Sequence, residues 1–368
     1  MSGDPLRLLR HAGPIEPYPL EPSDAEIAAE AGVPVGSIVR YDMNTLGGGP
    51  LPGVVEAWRG WDPAEAVQYG DLGYRRLRAA IGDATGVPQQ RIIPGAGADE
   101  LIRLVTMNVV GPGDAVVVPT PTFPMFAIEA GLAGARVIAV PREHPGRRQT
   151  VAELRDAASG ARLVWACSPN NPTGDVMPVD EVRDLATGLD AIVVVDQVYL
   201  EFAEAAGVTD VDATPLLEER HNVLVLRSLS KAYGLAGARL GYLLVPDGLA
   251  QRFDGLRLAS SVGVAAEVLA LGALRDPATS RARHTEIMVE RARLADALET
   301  LECEVLPGVA NFVTFRPPDA PALARALLER GLVVRLYESG AMSGWLRATA
   351  LAADENARLI EALTVLLG

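Results

Sequence analysis

The sequence predicts an α/β protein: a large domain with a mostly parallel sheet flanked by helices, plus a smaller α+β domain. Three observations carry this. From Arg91 onward short β-branched runs alternate with helical stretches. Those runs are apolar at nearly every position, as strands covered on both faces are. After Val245 the texture changes, and a long helical tract leads into a second set of strands.

Taken in order, residues 1–49 are rich in proline and glycine and read as an extended arm leading to a loop. Buried strands follow at RII (91–93), AVVV (115–118), RVIAV (136–140), RLVWAC (162–167), AIVVV (191–195) and NVLVL (222–226). Between them DELIRLVTMNVV, VAELRDAA and VDEVRDLATGL have helical texture. A single helical tract is expected over about 265–304, then the strand NFVTF, a helix around PALARALLER, the strands LVVRLY and GWLRATA, and a final helix. The expected division is an arm with part of the small domain (1–45), a large domain (46–265) and a small one (266–368). Neither repeats nor a flexible linker separate them, so the domains should pack together.

Composition narrows the function. The 368 residues are 49 % hydrophobic and 22 % charged, as in ordinary globular proteins. A net charge of −14 disfavours nucleic acid and anionic membrane as partners. The amino terminus lacks an apolar core with a cleavage site, and no run is long enough to span a membrane, so a cytoplasmic location is expected. Cys167 and Cys303 are isolated thiols, and His11, His144, His221 and His284 are scattered without ligand spacing, so no metal is expected.

One position stands apart. Of the 33 Lys and Arg residues only Lys231, in RSLSKAYGLAGARLGY, is a lysine. A solvated loop amine is the commonplace reading. Yet arginine stays protonated at any usable pH, whereas a desolvated lysine can lose its proton and attack a carbonyl. Ser228-Leu-Ser-Lys231 also matches the S-x-x-K of serine hydrolases, but its companions S-D-N and K-T-G are missing. The other chemistry that needs such an amine is a Schiff base with pyridoxal 5′-phosphate. That requires a phosphate cradle, an acid facing the pyridine nitrogen and donors for the ring oxygen.

Each has a candidate at a strand end. Gly95-Ala-Gly-Ala-Asp-Glu100 sits between a strand and a helix, where the N–H groups of Ala98 and Asp99 would face an anion. Ser228, Ser230 and Arg239 flank the lysine and could add hydroxyls and a positive charge. Asp196 follows five apolar residues in AIVVVDQVY, and a carboxylate buried there needs a partner such as a protonated ring nitrogen. Tyr199 could reach the ring oxygen, and Ser168-Pro-Asn-Asn-Pro-Thr-Gly174 fixes Asn171 at another strand end. Tight turns and helix caps explain each motif singly; four together, in this order, form a constellation.

With these residues in hand, the chain resembles the fold-type I pyridoxal-phosphate enzymes of the class I/II aminotransferase family, and within it the histidinol-phosphate aminotransferase branch. The likeness runs through YGDLGYRRLRAAIG, GAGADELI, PTPTFPMF, SPNNPTG, VVVDQVYLEF, RSLSKAYGLAGARLGY, VANFVTFR, GLVVR, WLRATA and DENARLIEAL. It implies that Lys231 carries the cofactor, Asp196 pairs with the pyridinium, and Asn171 and Tyr199 bond the ring oxygen. It implies that Ala98, Asp99, Ser228, Ser230 and Arg239 hold the phosphate and that Phe123 stacks on the ring. Tyr69 would reach the phosphate in a partner subunit, giving a homodimer with shared sites. Arg347 would bind the substrate carboxylate, with Asn171 beside it.

Two segments depart from the branch pattern. Asn44-Thr-Leu-Gly-Gly-Gly-Pro50 replaces N-E-N-P and its proline-rich turn, and Ala348-Thr-Ala-Leu-Ala352 replaces V-G-T. A specialised amino acid or amino-sugar-like amine is therefore expected in place of histidinol phosphate. The implied reaction transfers an amino group from a small amino donor to a 2-oxo acid acceptor. Decarboxylation, racemisation, elimination and oxidation by O2 use the same residues, and a catalytically inert binding relative is the non-enzymatic alternative.

Overall fold

The structure, a computed structural model, describes Tyr18 and residues 21–368; the start of the expected arm, with His11, lies outside the described residues. The helices are α1 (Asp24–Ala31), α2 (Pro52–Gly60), α3 (Arg75–Thr85), α4 (Gly97–Val109), α5 (Met125–Leu132), α6 (Val151–Ala157), α7 (Val179–Ala186), α8 (Leu200–Ala205), α9 (Leu216–Glu219), α10 (Asp247–Leu256), α11 (Val264–Leu274), α12 (Pro277–Thr300), α13 (Ala320–Leu328) and α14 (Ala353–Leu367). The strands are β1 (Val39–Arg40), β2 (Ile92–Gly95), β3 (Ala115–Thr120), β4 (Arg136–Pro141), β5 (Leu163–Cys167), β6 (Ile192–Asp196), β7 (Val223–Ser228), β8 (Gly241–Leu244), β9 (Glu304–Val305), β10 (Phe312–Arg316), β11 (Leu332–Val333), β12 (Arg335–Tyr337) and β13 (Trp345–Thr349).

Seven strands form the main sheet in the order β2-β8-β7-β6-β5-β3-β4. Alternate residues feed two separate cores. Val193, Val195, Val223 and Val225 pack on one face, while Val194, Leu224, Leu226 and Trp165 pack on the other. That is why β6 and β7 are unbroken β-branched and leucine runs: both faces are buried. On the second face the Phe126 and Trp165 rings stack at 4.4 Å.

Four strands in the order β12-β13-β10-β9 form a second sheet around Leu294, Val313, Phe315, Leu346 and Leu363. The described part of the N-terminal region joins it: Tyr41 lies in that core, and β1 pairs in parallel with β11, Val39 against Leu332.

Several expectations need correction. The arm is not wholly extended: Ser23 and Glu26 form a capping box that starts α1, and Gly32 ends it in the left-handed region. The strand GYLL, β8, was not anticipated; it runs antiparallel between β2 and β7. RVIAV is not buried on both faces: β4 lies at one edge of the sheet and mixes exposed with half-buried positions, whereas the other edge strand, β2, is covered throughout. The tract 265–304 is two helices, since the Asp276 side chain accepts from the N–H groups of Ala278 and Thr279 and Pro277 opens α12. LVVRLY is interrupted at Val334 into β11 and β12.

Candidate active site

The parallel strands bring the chemistry-bearing residues to one edge, since each run ends where its apolar pattern ends. Lys231 follows β7, Asp196 closes β6, the turn 168–174 follows β5, Phe123 follows β3 and Ala98 opens α4 after β2. In open α/β sheets such strand ends form the binding crevice.

Lys231 is half-buried, and its amine donates to the Met43 carbonyl at 2.9 Å. Burial, with Arg347 and Arg239 adding positive charge nearby, brings its pKa down to about 8. Asp196 is 2 % exposed and accepts from the Val198 N–H at 3.1 Å. Burial, reinforced by Asp99, pushes its pKa up to about 7. Among the described residues no cation lies within ion-pair distance of it. A buried carboxylate without a cation fits a protonated pyridine nitrogen.

Tyr199 is buried with its ring edge-on to Phe312 at 5.4 Å, and its phenol oxygen accepts from Asn44 Nδ2 at 2.9 Å. Burial raises its pKa, so the phenol keeps its proton. Asn171 Oδ1 accepts from Arg347 at 2.5 Å, leaving the amide nitrogen as a donor. Arg347 also donates to the Asp42 carbonyl at 2.6 Å and lies over the Phe312 ring. Its buried Nε has no partner among the described residues. Arg347 meets Asn171 directly, whereas Lys231, Tyr199 and Arg347 are linked to one another through residues 42–44.

The cradle is assembled at the first turn of α4. Ala98 and Asp99 carry N–H groups that no helical carbonyl can reach. Arg239, in the left-handed region, donates to Asp99 Oδ2 at 2.8 Å across the opening. A Cβ on Gly97 would stand 2.6 Å from that guanidinium, so the glycine makes room for it. Ser228 Oγ accepts from the Ser230 N–H at 3.1 Å. Phe123 is half-buried, edge-on to Phe126. Tyr69 is 84 % exposed on the surface of the chain and makes none of these contacts.

These groups fit pyridoxal phosphate: an amine near neutrality, an unpaired buried carboxylate, two ring-oxygen partners and a cationic helix N-terminus. A separate cavity of about 560 Å³ is lined by Glu201, Arg227, Tyr233, Tyr242 and His284, and by none of the groups just described.

Motif reading passed over other residues here. Arg335 lies directly opposite Arg347 in the β12–β13 register, and its guanidinium pairs with Glu21. Tyr337, Phe312 and Asn44 line the same region. Arg335 falls in the quoted GLVVR, but only the strand pairing reveals that it faces Arg347. The two altered segments prove to be neighbours: a Cβ on Gly47 would lie 2.4 Å from Ala352 N.

Similarity to known proteins identifies the family. A family model described as aminotransferase class I and II matches residues 41–364. The histidinol-phosphate aminotransferase of Roseiflexus castenholzii is 35 % identical over 361 residues, covering 95 % of both chains. That of Lactiplantibacillus plantarum is 30 % identical, covering 94 % of this chain and 96 % of its own. The crystal structure of histidinol-phosphate aminotransferase from Sinorhizobium meliloti, in complex with pyridoxal-5′-phosphate, superimposes with a TM-score of 0.84 at 26 % identity, covering 95 % and 96 % of the two chains. This chain therefore belongs to the class I and II aminotransferases.

Proposed function

We propose that the protein is a pyridoxal 5′-phosphate-dependent aminotransferase moving an amino group from an amino acid, or related amine, to a 2-oxo acid. The carrying observation is the cation-free carboxylate of Asp196 beside the strand that delivers the only lysine. Bound pyridoxal phosphate supplies a ring that accepts the electron pair left when a bond at the substrate's α-carbon breaks. Asp196 keeps a proton on the ring nitrogen. The first turn of α4, Ser228, Ser230 and Arg239 hold the phosphate. Tyr199 and Asn171 donate to the ring oxygen, and Phe123 packs beside the ring. Lys231, free as an amine above about pH 8, removes the α-proton and returns it elsewhere. Arg347 grips the substrate carboxylate and turns the α-C–H bond toward that amine. The amine nitrogen leaves on the second substrate as the first leaves as an oxo acid.

For the substrate, the charge at the anionic end favours a carboxylate over a phosphomonoester. Arg335 is paired with Glu21, which leaves Arg347, among the described residues, as the cation available to the ligand. One positive charge matches a carboxylate, whereas a phosphate carries about −1.5 to −2 near pH 7. This supports a specialised amino acid, although the relatives are histidinol-phosphate aminotransferases. The protein is further read as a homodimer that hides the exposed Val67, Tyr69, Leu72 and Leu258, with Tyr69 reaching the partner's phosphate site.

The class is tested by adding the cofactor to purified protein, reducing with borohydride and mapping the adduct. A visible band lost on reduction, with the label on Lys231, supports the reading; a label elsewhere refutes it. Kinetics then compare α-amino acids with histidinol phosphate. A higher kcat/KM for histidinol phosphate refutes the carboxylate assignment, and CO2 release without an oxo-acid product refutes transamination.

A further inference from the structure

Residues 42–49 thread across the site and touch it at every turn. The Asp42 carbonyl accepts from Arg347 at 2.6 Å and the Met43 carbonyl accepts from Lys231 at 2.9 Å. Asn44, in the left-handed region and 2 % exposed, donates to the Tyr199 phenol. Leu46 packs on Gly234, three residues after the lysine. The segment is anchored from outside at its far end. Arg283 Nη1, from α12, donates to the Gly47 carbonyl at 2.9 Å and the Gly49 carbonyl at 3.3 Å.

The three glycines are what let it lie there. A side chain on Gly47 would meet the Leu351–Ala352 backbone at 2.4–2.6 Å, and one on Gly48 would stand 2.8 Å from Arg283. Gly48 and Gly49 also take φ values of 78° and 75°, a conformation that costs other residues energy. The stretch that breaks the branch pattern is thus a close-packed strap rather than a loose loop.

We infer that Arg283 is a positioning residue: through the Gly47–Gly49 turn it holds residues 42–44 across Lys231, Tyr199 and Arg347, and so sets the aim of the reacting amine. Arg283 touches none of those three side chains in the hydrogen-bond network. Its guanidinium satisfies two carbonyls of the turn, and its exposed partner Glu286 lies on its own helix. Without it the turn keeps its contact with 351–352 and residues 44–45 keep their bonds to Asn311 and Thr349, but the far end is released and the strap loosens over the amine. This rests on Lys231 being the reacting amine, as proposed above.

The single lysine makes a direct test possible on cofactor-free protein. Acylation of Lys231 is followed against pH by peptide mass spectrometry in the parent, Arg283→Ala, Arg283→Lys and Glu286→Ala. Burial is the largest cause of the lysine's lowered pKa, so lifting the strap rehydrates the amine. The expected labelling midpoint moves up from about 8 by about one pH unit in Arg283→Ala. Arg283→Lys should recover part of the shift, and Glu286→Ala should leave the midpoint in place. In the holoenzyme, kcat should fall roughly ten-fold in Arg283→Ala, as expected for a misaimed group, with the melting temperature of both forms compared alongside. An unchanged midpoint, or a loss of kcat that appears equally in Glu286→Ala, overturns the inference. If the parent labels at Lys231 but never takes up cofactor, the functional reading fails instead, a result that leaves its own signature.

Discussion

At the end of β6 the Asp196 carboxyl accepts one backbone N–H and is otherwise sealed in, which is why it holds its proton up to about pH 7. In the unfolded chain an aspartate ionises near 3.9. Its folded value is the higher one, so its stability contribution is full below pH 4 and is lost as pH rises from about 4 to about 7. That loss is on the order of 4 kcal/mol by linkage, as an upper bound. Asp196→Asn should therefore melt higher than the parent at pH 8 without cofactor, and no higher at pH 4. Adding cofactor should reverse the order at pH 8, because only the carboxylate gains a charged partner. Thermal scans at the two pH values, with and without cofactor, check both statements. Lys231 has the opposite sense: its lowered pKa means stability is lost below about pH 8 and regained as pH rises toward 10.4. Cofactor uptake should accordingly quicken as pH rises through 8, measured by the rate of the visible band's appearance.

Among the elements, the joint between α11 and α12 is set by one side chain. Asp276 accepts from the N–H groups of both Ala278 and Thr279, and Pro277 gives up a donor the first turn could not use. Asp276→Ala should cost about 1 kcal/mol, the usual worth of an N-cap, read from a urea titration. Activity should change little, since Arg283 lies nearly two turns further along α12. Gly47→Ala is the sharper test of an element, because its new methyl meets backbone at 2.4 Å with no flexible side chain to yield. A larger loss of stability is expected there, on the order of 1–3 kcal/mol for overpacking, from the same titration.

For the whole molecule, the exposed apolar residues Val67, Tyr69, Leu72 and Leu258 argue for a second copy of the chain. Arg257 donates to the Leu72 carbonyl, so Leu258 lies beside this patch. Val67→Arg should shift the sedimentation profile toward monomer. If Tyr69 reaches the partner's phosphate site as proposed, Tyr69→Phe should keep the dimer and weaken cofactor binding several-fold, because it removes one hydroxyl donor from a charged group. A monomeric parent protein would defeat the dimer reading outright.

What the sequence determined by itself was the α/β class, six of the seven strands of the main sheet and the family resemblance. Strands buried on both faces announce themselves as unbroken apolar runs, and a lone Asp or Lys at their ends contrasts with that background. It did not disclose β4 as an edge, because RVIAV is as apolar as its neighbours and only its place in the strand order exposes it. The short GYLL run carries no sign of its antiparallel direction either. Nor could local pattern show that Asn44 meets Tyr199, that Arg335 opposes Arg347, or that Gly47 rests on Ala352. The middle pair, 12 positions apart, is set by the antiparallel register of β12 on β13; the other two, 155 and 305 positions apart, are decided by how the parts of the chain pack, when packing chooses among distant surfaces that local propensity treats alike.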